Sequence, residues 1–247
     1  MSNFRYTRPD SFPYIVKNLI IINVLVYLAQ AIFDNQYQLT NLLQLRPIIS
    51  NELETALSQI TGGEIVPQFK PYQVFTHMFA HAPLPGIYHI LFNMFTLWMF
   101  GRVLENVWGP KRFLTFYIVC GLGAAALHLG LQYFRCEQLL DAIKANDQAA
   151  FDKNFVVLAG ALGASGAIMG VMAAFAYLFP NTELYIMFLP FPIKAKWAML
   201  GLAAIDLFGG VSSISGDNIA HFAHLGGALT GFIIVLIWNK TNRKTLY

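Results

Sequence analysis

The chain has 247 residues, 56% of them hydrophobic and only 12% charged, with a formal net charge of +3. A soluble domain carries about 25% charged residues, so a water-facing surface cannot be assembled from this composition. The basic residues lie scattered in short loops, not in the stripe that a nucleic-acid partner needs, and Cys120 and Cys136 show neither metal-ligand spacing nor a disulfide framework.

A hydrocarbon core about 30 Å thick takes roughly 20 helical residues to cross, and six apolar blocks approach that length. Residues 1–12 are polar and hold no small-residue cleavage site, so the first block, about Tyr14 to Phe33, reads as a retained anchor. The polar stretch from Asp34 to Pro85 is too long for a tight connection and predicts structure of its own. The second block runs from about Gly86 to Val103, and a basic loop with Arg102, Lys111 and Arg112 leads to the third, Phe113 to Leu131. Arg135 to Asn154 reads as a charged loop. The fourth block, Phe155 to Phe179, is notched by Gly160, Gly163, Gly166 and Gly170. A Leu189-Pro190-Phe191-Pro192 loop precedes the fifth, Ala195 to Phe208, and the sixth spans Ile219 to Trp238. The expectation is an all-α polytopic membrane protein, a bundle of six transmembrane helices in a single domain over 1–247. Residues 1–13 and 239–247 are expected to be cytoplasmic ends of a 14–238 membrane core. With the N-terminus inside, eleven of the 16 lysines and arginines fall on the cytoplasmic side, as the positive-inside rule asks.

Strongly polar groups are costly at membrane depth and by default mark function. His128 has no polar neighbour in sequence and reads as structural, while Asp206, near the outer end of a short helix, reads as a cap or loop anchor. The remaining polar residues converge. In the N-inside topology the second, fourth and sixth helices all run inward, and Asn93, Ser165 and His224 lie near their outer starts. They therefore meet at one depth. His89 and Asn93 are four apart and share a helical face.

Ser165 stands in Gly163-Ala164-Ser165-Gly166, among glycines too closely spaced for a comfortable helix. Gly160 to Ala164 is expected to descend as extended chain, with a helix of about 22 Å starting near Ser165. A helix start presents free N–H groups and partial positive charge, which suits an oxyanion. His224 precedes a Gly227-xxx-Gly231 pair that matches Gly166-xxx-Gly170, and small residues four apart let helices approach closely. That approach draws His224 to Ser165. The plainer alternatives are a serine that eases helix contact and polar residues that glue helices together.

These residues resemble the rhomboid family of intramembrane serine proteases. The likeness rests on His89-xxx-Asn93, the Gly-x-Ser-Gly around Ser165 and Ala223-His224-x-x-Gly-x-x-x-Gly to Gly231. It is supported by Phe75-Thr76-His77 with His81, by Gly101 to Gly109 around Glu105, and by Asp206-Leu207-Phe208-Gly209. The resemblance implies a Ser165–His224 catalytic dyad, with oxyanion stabilisation by His89, Asn93 and the Ser165 N–H, and with Gly163 lining the site. It further implies that Phe92 lines the substrate cavity, that 34–85 is a membrane-embedded first loop, and that Gly209 to Asn218 form a cap. His221 lacks the glycines at +3 and +7 and is given a supporting role. No carboxylate is evident as a third member, since Asp217 lies seven residues, roughly 10 Å of helix, before His224. Tyr72-Gln73 stands where many members carry Trp-Arg or Trp-Gln, Met169 stands where members often carry an aromatic residue, and the spacing from His81 to His89 is longer than in some members.

The implied substrates are transmembrane proteins cut near the outer membrane surface, and the implied setting is the bilayer of a bacterial inner membrane. No cofactor or metal is expected, because no His-Glu-x-x-His motif occurs. Two rival classes are a rhomboid-like protein that binds membrane clients without cutting them, which typically lacks the serine or the histidine, and a transporter, for which no inverted repeat is seen.

Overall fold

Pro13 fixes the start of the first helix, α1 (Tyr14–Tyr37). The leading N–H groups of a helix have no partners within it, and here the buried Glu105 carboxylate accepts from Ile15 N and Val16 N at 2.8 Å each. A negative group at that end also opposes the helix dipole. Ile21, Leu25, Leu28 and Ile32 on α1 are exposed, as a lipid-facing side should be. The computed structural model describes residues 9–63, 68–82, 86–185, 190–212 and 221–241.

The polar stretch after α1 does hold structure of its own, in α2 (Leu39–Leu43), α3 (Asn51–Ile60) and α4 (Gln73–Thr76). The second span comprises α5 (Ile87–Thr96), a π-helical turn (Leu97–Gly101) and α6 (Arg102–Trp108). It is followed by α7 (Pro110–Ala145), with proline in the first turn, where its missing N–H costs nothing.

α7 corrects the expected charged loop at Arg135 to Asn154. The helix continues to Ala145, and α8 (Gln148–Phe155), capped by the Asp147 side chain, follows at once. Its 36 residues reach about 54 Å, well beyond the hydrocarbon core. The continuation is amphipathic. Cys136, Leu139 and Leu140 fall at helical spacing and pack with Leu53 and Leu57 of α3 and with Val157, forming a small second core. Charge density in this stretch marked the exit from the bilayer, not the end of the helix.

After a 3₁₀ turn (Val156–Leu158) come α9 (Ser165–Leu178), a short hairpin of β1 (Glu183–Leu184) and β2 (Ile193–Lys194), α10 (Ala195–Ser212) and α11 (His221–Thr241). Among the described residues, Tyr14–Tyr37, Ile87–Trp108, Pro110–Ala145 and His221–Thr241 are long and apolar enough to cross a membrane. α9, at 14 residues, is shorter, and α10 has 18. The fold is thus an all-α membrane bundle.

α11 packs against both α7 and α9. The glycines singled out in sequence sit where these helices touch: a Cβ on Gly227 would collide with the Gly166 carbonyl, and one on Gly231 would lie 2.6 Å from Gly170 Cα. A Cβ on Gly170 would in turn lie 2.9 Å from Gly227 O, so the two pairs mesh backbone to backbone. Residues 213–218 of the expected cap, Asp217 among them, lie outside the described residues.

Candidate active site

The site begins with a stretch of chain that is neither helix nor loop. Leu45 and Ala161 exchange two backbone hydrogen bonds, Leu45 N to Ala161 O at 2.8 Å and Ala161 N to Leu45 O at 2.9 Å, pinning the chain to the first loop. Two residues on, Gly163 N donates to His77 O at 2.9 Å, and Gly163 takes φ +126. A side chain at that φ is strained, and a Cβ would also lie 2.9 Å from His89 Nε2. The chain then turns at Ala164 into α9, with Ser165 as its first residue. This matches the expected extended descent and helix start.

Across the glycine seam stands His224, on the first turn of α11. Its Nε2 lies 2.8 Å from Ser165 Oγ. Its Nδ1 lies 3.0 Å from Asp206 Oδ1, and that same oxygen is 2.8 Å from His221 Nδ1. Among the described residues Asp206 meets two imidazoles, where a cap or loop anchor was expected, and His224 does have a carboxylate behind it, where a bare pair was expected. The sequence carried one sign of this: Asp206 is the only ionisable residue from Trp197 to Ser212. Which neighbour it meets depends on how α10 rotates against α11, which no motif states. His221 is buried, consistent with the supporting role expected of it.

His89 and Asn93 project from α5 into the same space. Ala82 N donates to His89 Nδ1 at 3.4 Å, which leaves the ring proton on Nε2, the nitrogen nearest Gly163. Asn93 Nδ2 donates to His89 O at 2.8 Å, so one amide hydrogen is turned to its own helix and the other is left for the cavity. The position of Ala82 traces back to α1, where Gln30 Oε1 accepts from His81 N at 2.9 Å and Gln30 Nε2 donates to His81 O at 3.0 Å. Burial lowers both His77 and His81 to about 4, and in His81 the nearby His89 adds to the effect. Both are neutral at neutral pH.

A cavity of about 690 Å³ opens over Ser165 and His224. Phe92 lines it, as the resemblance implied, together with His89, Asn93, Gln132 and Phe222. His128, expected to be structural, also faces this cavity. Gln73, of the Tyr72-Gln73 pair that stands where many members carry Trp-Arg or Trp-Gln, knits the first loop: its Oε1 accepts from Lys70 N at 3.0 Å and Arg46 N at 3.3 Å, and its Nε2 donates to Leu42 O at 3.2 Å. Met169 packs with Ala173 and with Ala228 on α11.

These features define an all-helical membrane protein with a hydroxyl–imidazole pair at the floor of a cavity. A family model for the Rhomboid domain matches residues 68–240, and the chain belongs to the rhomboid family. It is 28% identical over 221 residues to "RHOMBOID-like protein 12, mitochondrial" of Arabidopsis thaliana, covering 89% of this chain and 56% of that one. To the human "Presenilin-associated rhomboid-like protein, mitochondrial" it is 31% identical over 183 residues, 68% of this chain and 39% of the relative. To "Rhomboid protease AarA" of Providencia stuartii it is 25% identical over 235 residues, 89% and 70% respectively. The chain spans about half, or less, of the length of the plant and human relatives.

Proposed function

We propose that this chain is an intramembrane serine endopeptidase that cuts transmembrane proteins near the outer membrane surface, with Ser165 as nucleophile and His224 as general base. The observation that carries the reading is the 2.8 Å contact between His224 Nε2 and Ser165 Oγ at the foot of an open cavity. A hydroxyl is a weak nucleophile until an adjacent base removes its proton. Ser165 Oγ attacks the scissile carbonyl carbon while its proton passes to His224 Nε2. The carbonyl oxygen, now negative, is met by the His89 Nε2–H, the free Asn93 N–H and the backbone N–H of Ser165, with Gly163 leaving room for it. The C–N bond then breaks as His224 returns the proton to the departing amine. Water repeats the sequence on the acyl-serine ester: its proton goes to His224, and collapse of the second tetrahedral species frees the carboxylate and restores the Ser165 hydroxyl.

Bilayer residence accords with the exposed apolar faces of the helices, and the N-inside orientation rests on the bias of basic residues. The relatives' names divide between mitochondrial and bacterial proteins. The charge bias bears on orientation and does not choose between a bacterial and a mitochondrial membrane. The test is cleavage of a single-span substrate in proteoliposomes. Ser165→Ala and His224→Ala are expected to lose cleavage by about 1000-fold or more while still folding. Undiminished cleavage by either variant rejects the assignment.

A further inference from the structure

We propose that Asp206 is a positioning residue that fixes the tautomer and orientation of His224, so that Ser165, His224, Asp206 and His221 act as one hydrogen-bonded row. The proposal rests on the Ser165–His224 reading and extends it by a group that a bare pair does not contain.

Burial makes the first argument. Asp206 is 6% exposed, while its chain neighbours Ile205 and Leu207 are 65% and 52% exposed toward the lipid side. A carboxylate turned inward at membrane depth is strongly disfavoured unless donors meet it. Two do, the Nδ1 groups of His224 at 3.0 Å and His221 at 2.8 Å, both on Oδ1.

Chemistry makes the second. An ionised carboxylate accepts hydrogen bonds and donates none, so each imidazole carries its proton on Nδ1. His224 Nε2 is then a lone pair, and it faces the Ser165 hydroxyl at 2.8 Å. This is the tautomer that can take the proton; the other would present an N–H to the hydroxyl and block attack. Once protonated, the His224 ring is a cation 3.0 Å from Asp206 in a low-dielectric setting, where an adjacent anion stabilises it well. His221 holds the same carboxylate oxygen at 2.8 Å. Its ring is backed by Gly209, where a Cβ would come within 2.5 Å of Cε1, so the glycine leaves room for the imidazole and little for anything else.

Among the described residues, the other titratable groups around His224 are His89 on α5 and His128 and Arg135 on α7. They are common to every protein compared in the test. Wild type, Asp206→Asn and Asp206→Glu are assayed in proteoliposomes for kcat and KM from about pH 5.5 to 9. Asp206→Asn is expected to lose about 100-fold or more in kcat with KM within about threefold of wild type, as for loss of an orienting carboxylate elsewhere. Its acid limb is expected to move to lower pH, because the imidazolium has lost its counter-charge, and Asp206→Glu is expected to recover part of the rate. A kcat within about threefold of wild type while Ser165→Ala is inactive overturns the proposal and leaves the Ser165–His224 reading standing. A fall in kcat with an unmoved acid limb and no recovery in Asp206→Glu also overturns it, since a merely structural role behaves that way. An active Ser165→Ala overturns both readings. If Asp206→Asn does not fold, nitrogen NMR of histidine-labelled wild type decides, with His224 assigned by comparison with His224→Gln: a proton on Nδ1 supports the proposal and a proton on Nε2 overturns it.

Discussion

At Gly163 the backbone sits at φ +126, hydrogen-bonded to His77 O and facing the His89 ring. Two separate costs meet any side chain there, a left-handed conformation and a clash with His89. Gly163→Ala is therefore expected to lose about 1–3 kcal/mol of stability and to cut initial cleavage rates by about tenfold or more, read by thermal unfolding and by proteoliposome assay. An unchanged rate would mean that this turn does not shape the site. The residues of this constellation were legible to unequal degrees. Ser165, His224, His89 and Asn93 announced themselves as polar groups at one depth beside glycines. The partners of Asp206 did not, because a lone aspartate in an apolar helix says that it is paired without saying with what. The contribution of His81 and Ala82 to the His89 tautomer was also silent, since it runs through backbone atoms.

Between elements, the decisive contact is the seam of α9 and α11. A methyl group on Gly227 would occupy the space of the Gly166 carbonyl, so Gly227→Ala must push the two helices apart. The expected result is a loss of about 1–3 kcal/mol together with most of the activity, because the 2.8 Å contact between His224 and Ser165 sits one turn away. Thermal unfolding and cleavage rate check it, and a fully active, equally stable variant would contradict it. This seam was readable from the two matched glycine pairs alone. The outer part of α7 was not. Its charges suggested a loop, whereas Cys136, Leu139 and Leu140 keep a helical stripe that closes against α3. Periodicity outweighs charge once a helix has left the bilayer, and the packing partner lay in a segment some 80 residues earlier.

For the molecule as a whole, the site depends on a first loop folded down beside the bundle, and that loop has a pH limit. His77 and His81 are held at about 4, chiefly by burial, below the unfolded value of about 6.5. Between those values the unfolded chain binds more protons than the folded one, so their stabilising contribution is complete above about pH 6.5 and is lost as the pH falls toward 4. Each histidine accounts for up to roughly 3 kcal/mol. The unfolding temperature in detergent is expected to drop over that interval, and His77→Gln is expected to flatten part of the drop. A constant unfolding temperature there would show that the loop does not bury these rings. The fold class and the order of the spans followed from hydropathy and glycine spacing, while the internal structure of the loop did not, since Gln73 and Gln30 hold it through backbone groups.

The proposed protease activity requires that Ser165 be a nucleophile because His224 touches it. Mass spectrometry after treatment with a fluorophosphonate asks this most directly. A single adduct is expected, on Ser165, formed by the wild type and lost in His224→Gln. No adduct on Ser165, or labelling that persists at the same rate without His224, would contradict it.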